Sequence, residues 1–353
     1  MVRRHFIAAG WIALAGMAGM AFAQAPVSSN APAPQVTWAP DAIPSVVNPT
    51  PQLTENAWAS FRNSPTKPSV DQKLEDPVLK GAIDIHAHYG PDVYNRQWDP
   101  FEIARIAKAR GMRGIVIKSH WTESATLAEM TRKYATPDLE VFGGLSLNTT
   151  VGGINPMAVR AFAEIAGHRA KVVWMPTHDA ENEVLTMKQS RPFVRVSKDG
   201  VLLPQVGEVL DLIAKYKLTL ATGHVRADEM LAIVREAKKR GIEHIIITHP
   251  GLGPQYTDPT IDQLKDAVTM GGYAEVVANE LYGAARAKKI ALIKAVGPEH
   301  VIVSTDSGLV GTPNHADALV LSARILREAG FTEPQLDMMF KRNPALVLGL
   351  PPL

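Results

Sequence analysis

Eight short apolar runs alternate with amphipathic stretches from residue 82 onward, and this alternation limits the folds open to the chain. The runs lie at 82–87, 113–118, 140–146, 171–175, 218–223, 244–249, 272–277 and 301–305. Most are dense in Ile and Val, the composition of buried strands. Helix candidates fill the gaps at 100–110, 123–135, 155–167, 205–216, 227–240, 259–270, 281–296 and 315–329. The first opens with Asp99 in the N-cap position and Pro100 as its first helical residue, a strong start signal. Eight strand–helix units predict a (β/α)8 TIM-like barrel. An open doubly wound sheet is the runner-up, but no G-x-G-x-x-G follows the first strand, as a dinucleotide fold would require. Residues 176–203 make the fourth strand–helix connection long, with a hairpin turn expected at Lys198-Asp199-Gly200. That insertion is expected to wall one side of a pocket.

The second constraint is what stands at the ends of these runs. The first ends Asp84-Ile85-His86-Ala87-His88. His224 follows the fifth, His249 ends the sixth, and Asp306 follows the eighth. Histidines at i and i+2 of a strand share a face. Imidazole and carboxylate are the usual ligands of a catalytic divalent metal. Barrel enzymes place their sites at the C-terminal ends of the strands. His86, His88, His224, His249 and Asp306 are therefore the candidate metal ligands.

With these residues in these positions the chain resembles the amidohydrolase superfamily of metal-dependent hydrolases over about residues 80–350. The tail Asn343-Pro344-Ala345-Leu346-Val347-Leu348-Gly349-Leu350 is similar to the helix that commonly ends family members. The chain departs from the pattern at one place. Many binuclear members carry a carboxylated lysine or a glutamate at the end of strand 4, whereas here strand 4 ends Trp174-Met175-Pro176-Thr177-His178-Asp179. A lysine instead ends strand 2, at Val116-Ile117-Lys118. A buried ammonium is costly, and carboxylation would turn it into an anion that two metals could share. Lys118 is the expected bridging ligand; pairing with a carboxylate or binding an anionic substrate are the alternatives.

The resemblance implies attack of metal-activated water on an amide, cyclic amide, lactone or related ester of a small molecule. The ion would be Zn2+ in the first instance, one or two per chain. Asp306, His249 and His178 are the candidate catalytic residues: Asp306 moves the water proton, and His249 or His178 stabilises the oxyanion. A metal-dependent decarboxylase is the alternative enzyme, and a periplasmic binding protein with a degenerate site is the less favoured one. His120, Trp121, Asn148 and Asp179 are candidates for substrate contact. Asp84 is expected to steady a ligand histidine, or else to pair with local backbone. Alternation leaves the facing of Glu275 undecided. Trp98, Trp121 and Trp174 would line the pocket or fill the core. His168, His244, His300 and His315 read as surface residues.

Residues 1–23 read as a secretory signal: Arg3 and Arg4, an apolar stretch from Phe6, and Ala21-Phe22-Ala23 before the cut. Arg3-Arg4-His5-Phe6-Ile7 also resembles a twin-arginine export motif. Residues 24–75 form a Pro-rich extension, with 24–50 a flexible spacer and 51–75 lying on the barrel that occupies 76–353. Removing the signal leaves 35 basic and 35 acidic residues, so no basic surface favours nucleic acid. The chain has no cysteine, which excludes disulfides, thiolate ligands and attachment of a lipid to a mature N-terminal cysteine. The expected protein is periplasmic, without a stable membrane anchor, and homo-oligomerisation is a fair default.

Overall fold

Parallel strands buried on both faces need continuous apolar sequence, and the eight runs supply it. The computed structural model describes residues 43–47 and 71–351. Its main sheet has eight parallel strands: β1 (Ile83–His88), β2 (Gly114–Lys118), β3 (Glu140–Ser146), β4 (Ala170–Trp174), β5 (Thr219–Ala221), β6 (Ile245–Ile247), β7 (Gly272–Val277) and β8 (Val301–Ser304). They pair in sequence order. The sheet closes by a bridge from Ala87 to Ser307, where His88 N–H donates to Ser307 O at 2.8 Å and Asp306 N–H to His86 O at 2.7 Å. The expected (β/α)8 barrel is therefore the fold.

The outer layer is α1 (Pro100–Ala109), α2 (Ala125–Tyr134), α3 (Pro156–Ala163), α4 (Pro204–Lys215), α5 (Ala227–Lys239), α6 (Ile261–Thr269), α7 (Arg286–Val296) and α8 (His315–Glu328). Asp99 caps α1 as its sequence predicts: Asp99 accepts from Glu102 N–H, and Glu102 accepts from Asp99 N–H. The seventh helix candidate is two elements, Ala278–Tyr282 and α7, separated at Gly283. No helix among the described residues is long and apolar enough to cross a membrane.

Two apolar layers follow from the alternation. One packs strands against helices. The other fills the barrel, with Ile83, Ile85, Val116, Phe142, Val172, Trp174, Ile246 and Ile302 at its centre. Ala345, Val347 and Leu348 of the C-terminal tail close it below, where Asn343 Nδ2 donates to Val301 O at 2.7 Å. Burying each such side chain stabilises the fold by roughly 1.5–3 kcal/mol. That layer is the floor on which the polar strand ends stand.

Two segments before the barrel are fixed to it. Val46–Val47 pairs antiparallel with Phe193–Val194 of the long fourth connection, so part of the expected spacer is a strand; two β-branched residues complete a local edge. Residues 71–76 run along α8, where the amides of Gln72 and Leu74 both donate to Asp317 at 2.8 Å and Arg327 holds Asp76. The expected signal at residues 1–23 and residues 51–70 lie outside the described residues. The turn expected at Lys198-Asp199-Gly200 is present: Ser197–Lys198 pairs with Val201–Leu202, with Asp199 at φ 51° and Gly200 at φ 79°.

His315 corrects the sequence reading. It is fully buried, because the chain leaving β1 covers the start of α8 and brings Tyr89 Oη to 3.3 Å from His315 Nδ1. Burial first, then the charge of Arg110, pushes its pKa down to about 3, below the ordinary 6.5. The unfolded chain binds the extra proton between these values, so the stability His315 contributes is present above pH 6.5 and is lost as pH falls toward 3. Urea unfolding of chelator-treated protein should therefore show an acid limb steeper than that of His315→Gln by up to about 1.4 kcal/mol per pH unit. Parallel acid limbs would refute it.

Candidate metal centre

The barrel closes at the residues that form the site. Asp84, fully buried, accepts from the amides of His86 at 3.2 Å and Thr305 at 3.1 Å and from the Thr305 hydroxyl at 2.6 Å. It binds backbone across the seam, the second of its two expected roles, and burial raises its pKa to about 7. The β1–β2 register shifts between Asp84 and Ala87. The shift lets Ile83 and Ile85 point into the core while His86 and His88 also point into the barrel. His86 Nε2 lies 3.0 Å, and His88 Nε2 3.2 Å, from Asp306 Oδ1. One nitrogen or oxygen of each of the three falls within 4.8 Å of the others.

A second pair meets them from β5 and β6. His224 and His249 bring their Nε2 atoms to 3.2 Å. Neighbouring ligands of a tetrahedral ion at 2.0–2.1 Å stand about 3.3 Å apart, so these distances are those of coordination edges. The backbone bends sharply to make them: His249 has φ 21° and Asp306 φ 51°, a region costly for side-chain-bearing residues and concentrated at functional sites. Gly223, at φ 67°, precedes His224, and a Cβ there would lie 2.3 Å from Pro176 O. Lys118 Nζ sits 2.8 Å from His86 Nε2, on the same side of β2 as Val116 below it.

Glu275 settles the question left by alternation: it points inward and holds His86 Nδ1 at 2.9 Å. Ser304 Oγ donates to the same carboxylate at 2.7 Å. Glu183, from the short helix Glu181–Thr186, holds His224 Nδ1 at 2.5 Å and lies 3.4 Å from His178 Nδ1. Carboxylates behind ligand histidines fix tautomer and raise ligand basicity. Glu183 was not found by sequence reasoning, because nothing in a short helical segment distinguishes a carboxylate facing the barrel mouth from a solvated one.

The charges show what the site would hold. Burial keeps Lys118 down at about 8 against the attraction of Asp306 and Glu275. Burial and Lys118 oppose charge on His86, yet Glu275 and Asp306 outweigh them and raise it to about 9. Burial raises Glu275 and Glu183, but His86 and His224 respectively lead in bringing each down to about 2. Burial, aided by Arg96 at His88 and by His224 at His249, drives both imidazoles well below their usual range. His88 and His249, as neutral imidazoles beside ionised carboxylates, fit a divalent cation, whereas His86 would release its proton to bind one. The Lys118 ammonium, lowered to about 8, does not fit as it stands; carboxylated, it would.

The site opens into a cavity of about 380 Å³ lined by His88, Arg96, Lys118, His178, Tyr256 and Asp306 among others. A larger groove, about 500 Å³, lies between the 197–202 hairpin and α4–α5, away from these groups. The long fourth connection walls the cavity through His178, Glu183, Met187 and Gln189, as expected. Of the other candidates, His120 also lines it. Asn148 and Asp179 are buried and bonded within the protein: Asn148 clamps the 177–179 backbone, and Asp179 pairs with Arg191 at 2.5 Å. Trp174 belongs to the floor, 5.2 Å from Lys118 Nζ. Trp121 is nearly buried, its ring 5.5 Å from that of His178.

Residues 81–275 match the model of a family of unknown function, DUF6282. No curated protein matches the sequence. Among solved structures, an organophosphorus hydrolase from Deinococcus radiodurans superposes with a TM-score of 0.51 at 16% identity, over 82% of this chain and 98% of that one. An amidohydrolase from Pseudomonas aeruginosa gives 0.51 at 12% identity, over 77% and 97%. A zinc-bound amidohydrolase from Burkholderia multivorans gives 0.50 at 12% identity, over 76% and 99%. At these identities the likeness is one of fold, and it agrees with the resemblance drawn from the strand ends.

Glu275→Gln should leave the fold intact but weaken zinc binding by about 10–100-fold, because His86 loses its ionised partner. Calorimetric titration of zinc into metal-free protein measures this, and an unchanged affinity would show that Glu275 does not support a ligand.

Proposed function

The chain belongs to the DUF6282 family, and we propose that it is a divalent-metal-dependent hydrolase of small molecules. The observation that carries this reading is the convergence of His86, His88 and Asp306, of which His88 and Asp306 line one cavity with Lys118, His224 and His249. Zinc is the proposed ion, since imidazole and carboxylate suit it and a barrel of this fold holds it elsewhere. The proposed bond is an amide, cyclic amide, lactone or related ester.

When bound, the ion supplies Lewis acidity and a water acidified toward neutrality. The chain's own residues do the rest. Asp306 turns an edge into the cavity, with 23% of its side chain exposed. From there its carboxylate takes the proton of the attacking water and returns it to the leaving group. His224 and His249 would hold an ion through their Nε2 atoms, so His249 would act as a ligand rather than as a donor. His178 contacts the substrate from the β4 side, with Nδ1 turned toward Glu183. A carbamate on Lys118 would join the two ligand groups. The compact group of His86, His88 and Asp306 taken alone would also serve a one-metal decarboxylase, the second reading. The proposed location is the periplasm, on the strength of the signal-like residues 1–23.

Elemental analysis of protein purified with bicarbonate and without chelator separates the two enzymes. Two equivalents per chain, reduced to one by Lys118→Ala, are expected of the hydrolase; retention of two in that variant would remove the bridge. A single equivalent in the wild type favours the decarboxylase. Asp306→Asn is expected to keep most of its metal and lose at least ~10²-fold in kcat on a panel of 4-nitrophenyl esters, lactones and cyclic amides. Near-normal turnover would take the proton-transfer role from Asp306.

A further inference from the structure

Four hydrogen bonds of Asn148 and one of Thr177 fix which nitrogen of His120 carries the proton. The amide of Asn148 cannot be reversed, because its Oδ1 accepts from the backbone N–H of Thr177 at 2.9 Å and of Asp179 at 3.3 Å. Its Nδ2 therefore donates, to His120 O at 2.9 Å and to Thr177 Oγ1 at 2.8 Å. Thr177 is fully buried, so its hydroxyl hydrogen needs an acceptor inside the protein. His120 Nδ1, 2.9 Å from Oγ1, is placed to accept it. If Nδ1 carried the hydrogen, Thr177 Oγ1 would face two donors and its own hydrogen would be stranded. His120 is thus an uncharged imidazole with its hydrogen on Nε2.

That second nitrogen is on the ring edge away from Thr177. His120 lines the cavity beside Lys118, His178 and Asp306. Its ring stacks on that of the ligand His88, with centroids 4.6 Å apart and planes 29° from parallel, which holds the imidazole at the edge of the metal centre. Asn148 anchors it from the other side through His120 O. A fixed, neutral N–H donor lining a concave site suits an oxygen that gains negative charge in the transition state. We propose that His120 is a catalytic residue of the hydrolysis, donating from Nε2 to the carbonyl oxygen of an ester, lactone or amide substrate as that oxygen becomes an oxyanion, with Asn148 and Thr177 as positioning residues that fix its tautomer. No bond forms to His120 and no proton leaves it; the hydrogen bond shortens as hydroxide adds to the carbonyl carbon and relaxes when the leaving group departs. This role rests on the hydrolase reading above, but the tautomer does not.

The experiment has two arms on one set of proteins. In the first, ¹⁵N-histidine-labelled metal-free protein is studied by long-range ¹H–¹⁵N correlation NMR, with His120 assigned by comparison with His120→Phe. The Nε2–H pattern is expected in the wild type, and a mixture of tautomers in Thr177→Val. An Nδ1–H or doubly protonated ring in the wild type would overturn the proposal. In the second, zinc-loaded proteins hydrolyse 4-nitrophenyl acetate. His120→Phe is expected to lose about 10²–10³-fold in kcat, with KM and metal content unchanged. His120→Gln, which can present an amide donor, should recover part of the loss. Thr177→Val leaves the imidazole in place and guards against a misfolded Phe variant; it should lose several-fold in kcat. Unaltered kcat in both His120→Phe and Thr177→Val, or loss of zinc in step with activity, would overturn the catalytic role. A wild type that binds zinc but hydrolyses no ester, lactone or amide would sink the hydrolase reading and the oxyanion with it. The first arm would still report whether His120 is a fixed donor.

Discussion

The bonds that close the barrel also build its site. Asp306 N–H reaches His86 O, and His88 N–H reaches Ser307 O, so the first and last strands join through the residues that offer ligand atoms. Asp84 and Thr305 fasten the same seam from within. Ligand geometry and barrel closure are therefore one constraint. A change that opens the seam would separate His86 and His88 from Asp306, and a bound ion would tie β1 to β8. Binding free energy at such a place is also folding free energy.

The second theme is how the protein keeps charge at the top of an apolar barrel. Glu275, Glu183 and Asp306 stay ionised because imidazoles face them, and those imidazoles are aligned by the same carboxylates. Removing one partner of such a pair leaves an uncompensated buried charge, which costs about 3–5 kcal/mol. Lys118 is the exception, a cation whose near neighbour is a ligand nitrogen. Positive backbone angles at His249 and Asp306 add strain at the same level of the barrel. The apolar floor around Trp174 and Ile246 and the C-terminal plug below it carry the stability that such a polar, strained layer lacks.

Much of this was legible in the chain. The apolar runs and their intervening amphipathic stretches foretold eight strands and eight helices, and Asp99-Pro100 foretold the start of α1. The chemistry-bearing residues at strand ends foretold His86, His88, Lys118, His224, His249 and Asp306 as neighbours. The readings that failed share a cause. His315 looked like a surface residue because nothing local shows that Tyr89 would cover it. Asp84 took the alternative of its two expected roles, binding backbone, because the ring's partner is Glu275, far away in sequence. Val46 and Val47 sat in a Pro-rich stretch that hid a strand.

By itself the sequence determined the repeated strand–helix unit and the kinds of group at each strand end, because period and composition are local properties. The tertiary structure decided which groups face one another: Glu183 behind His224, Glu275 behind His86, Thr177 on His120. A hydrogen bond between residues tens or hundreds of positions apart depends on barrel register and on the β1 shift at Asp84–Ala87. A one-residue change in register turns a side chain to the other face of the sheet, and no local pattern records that.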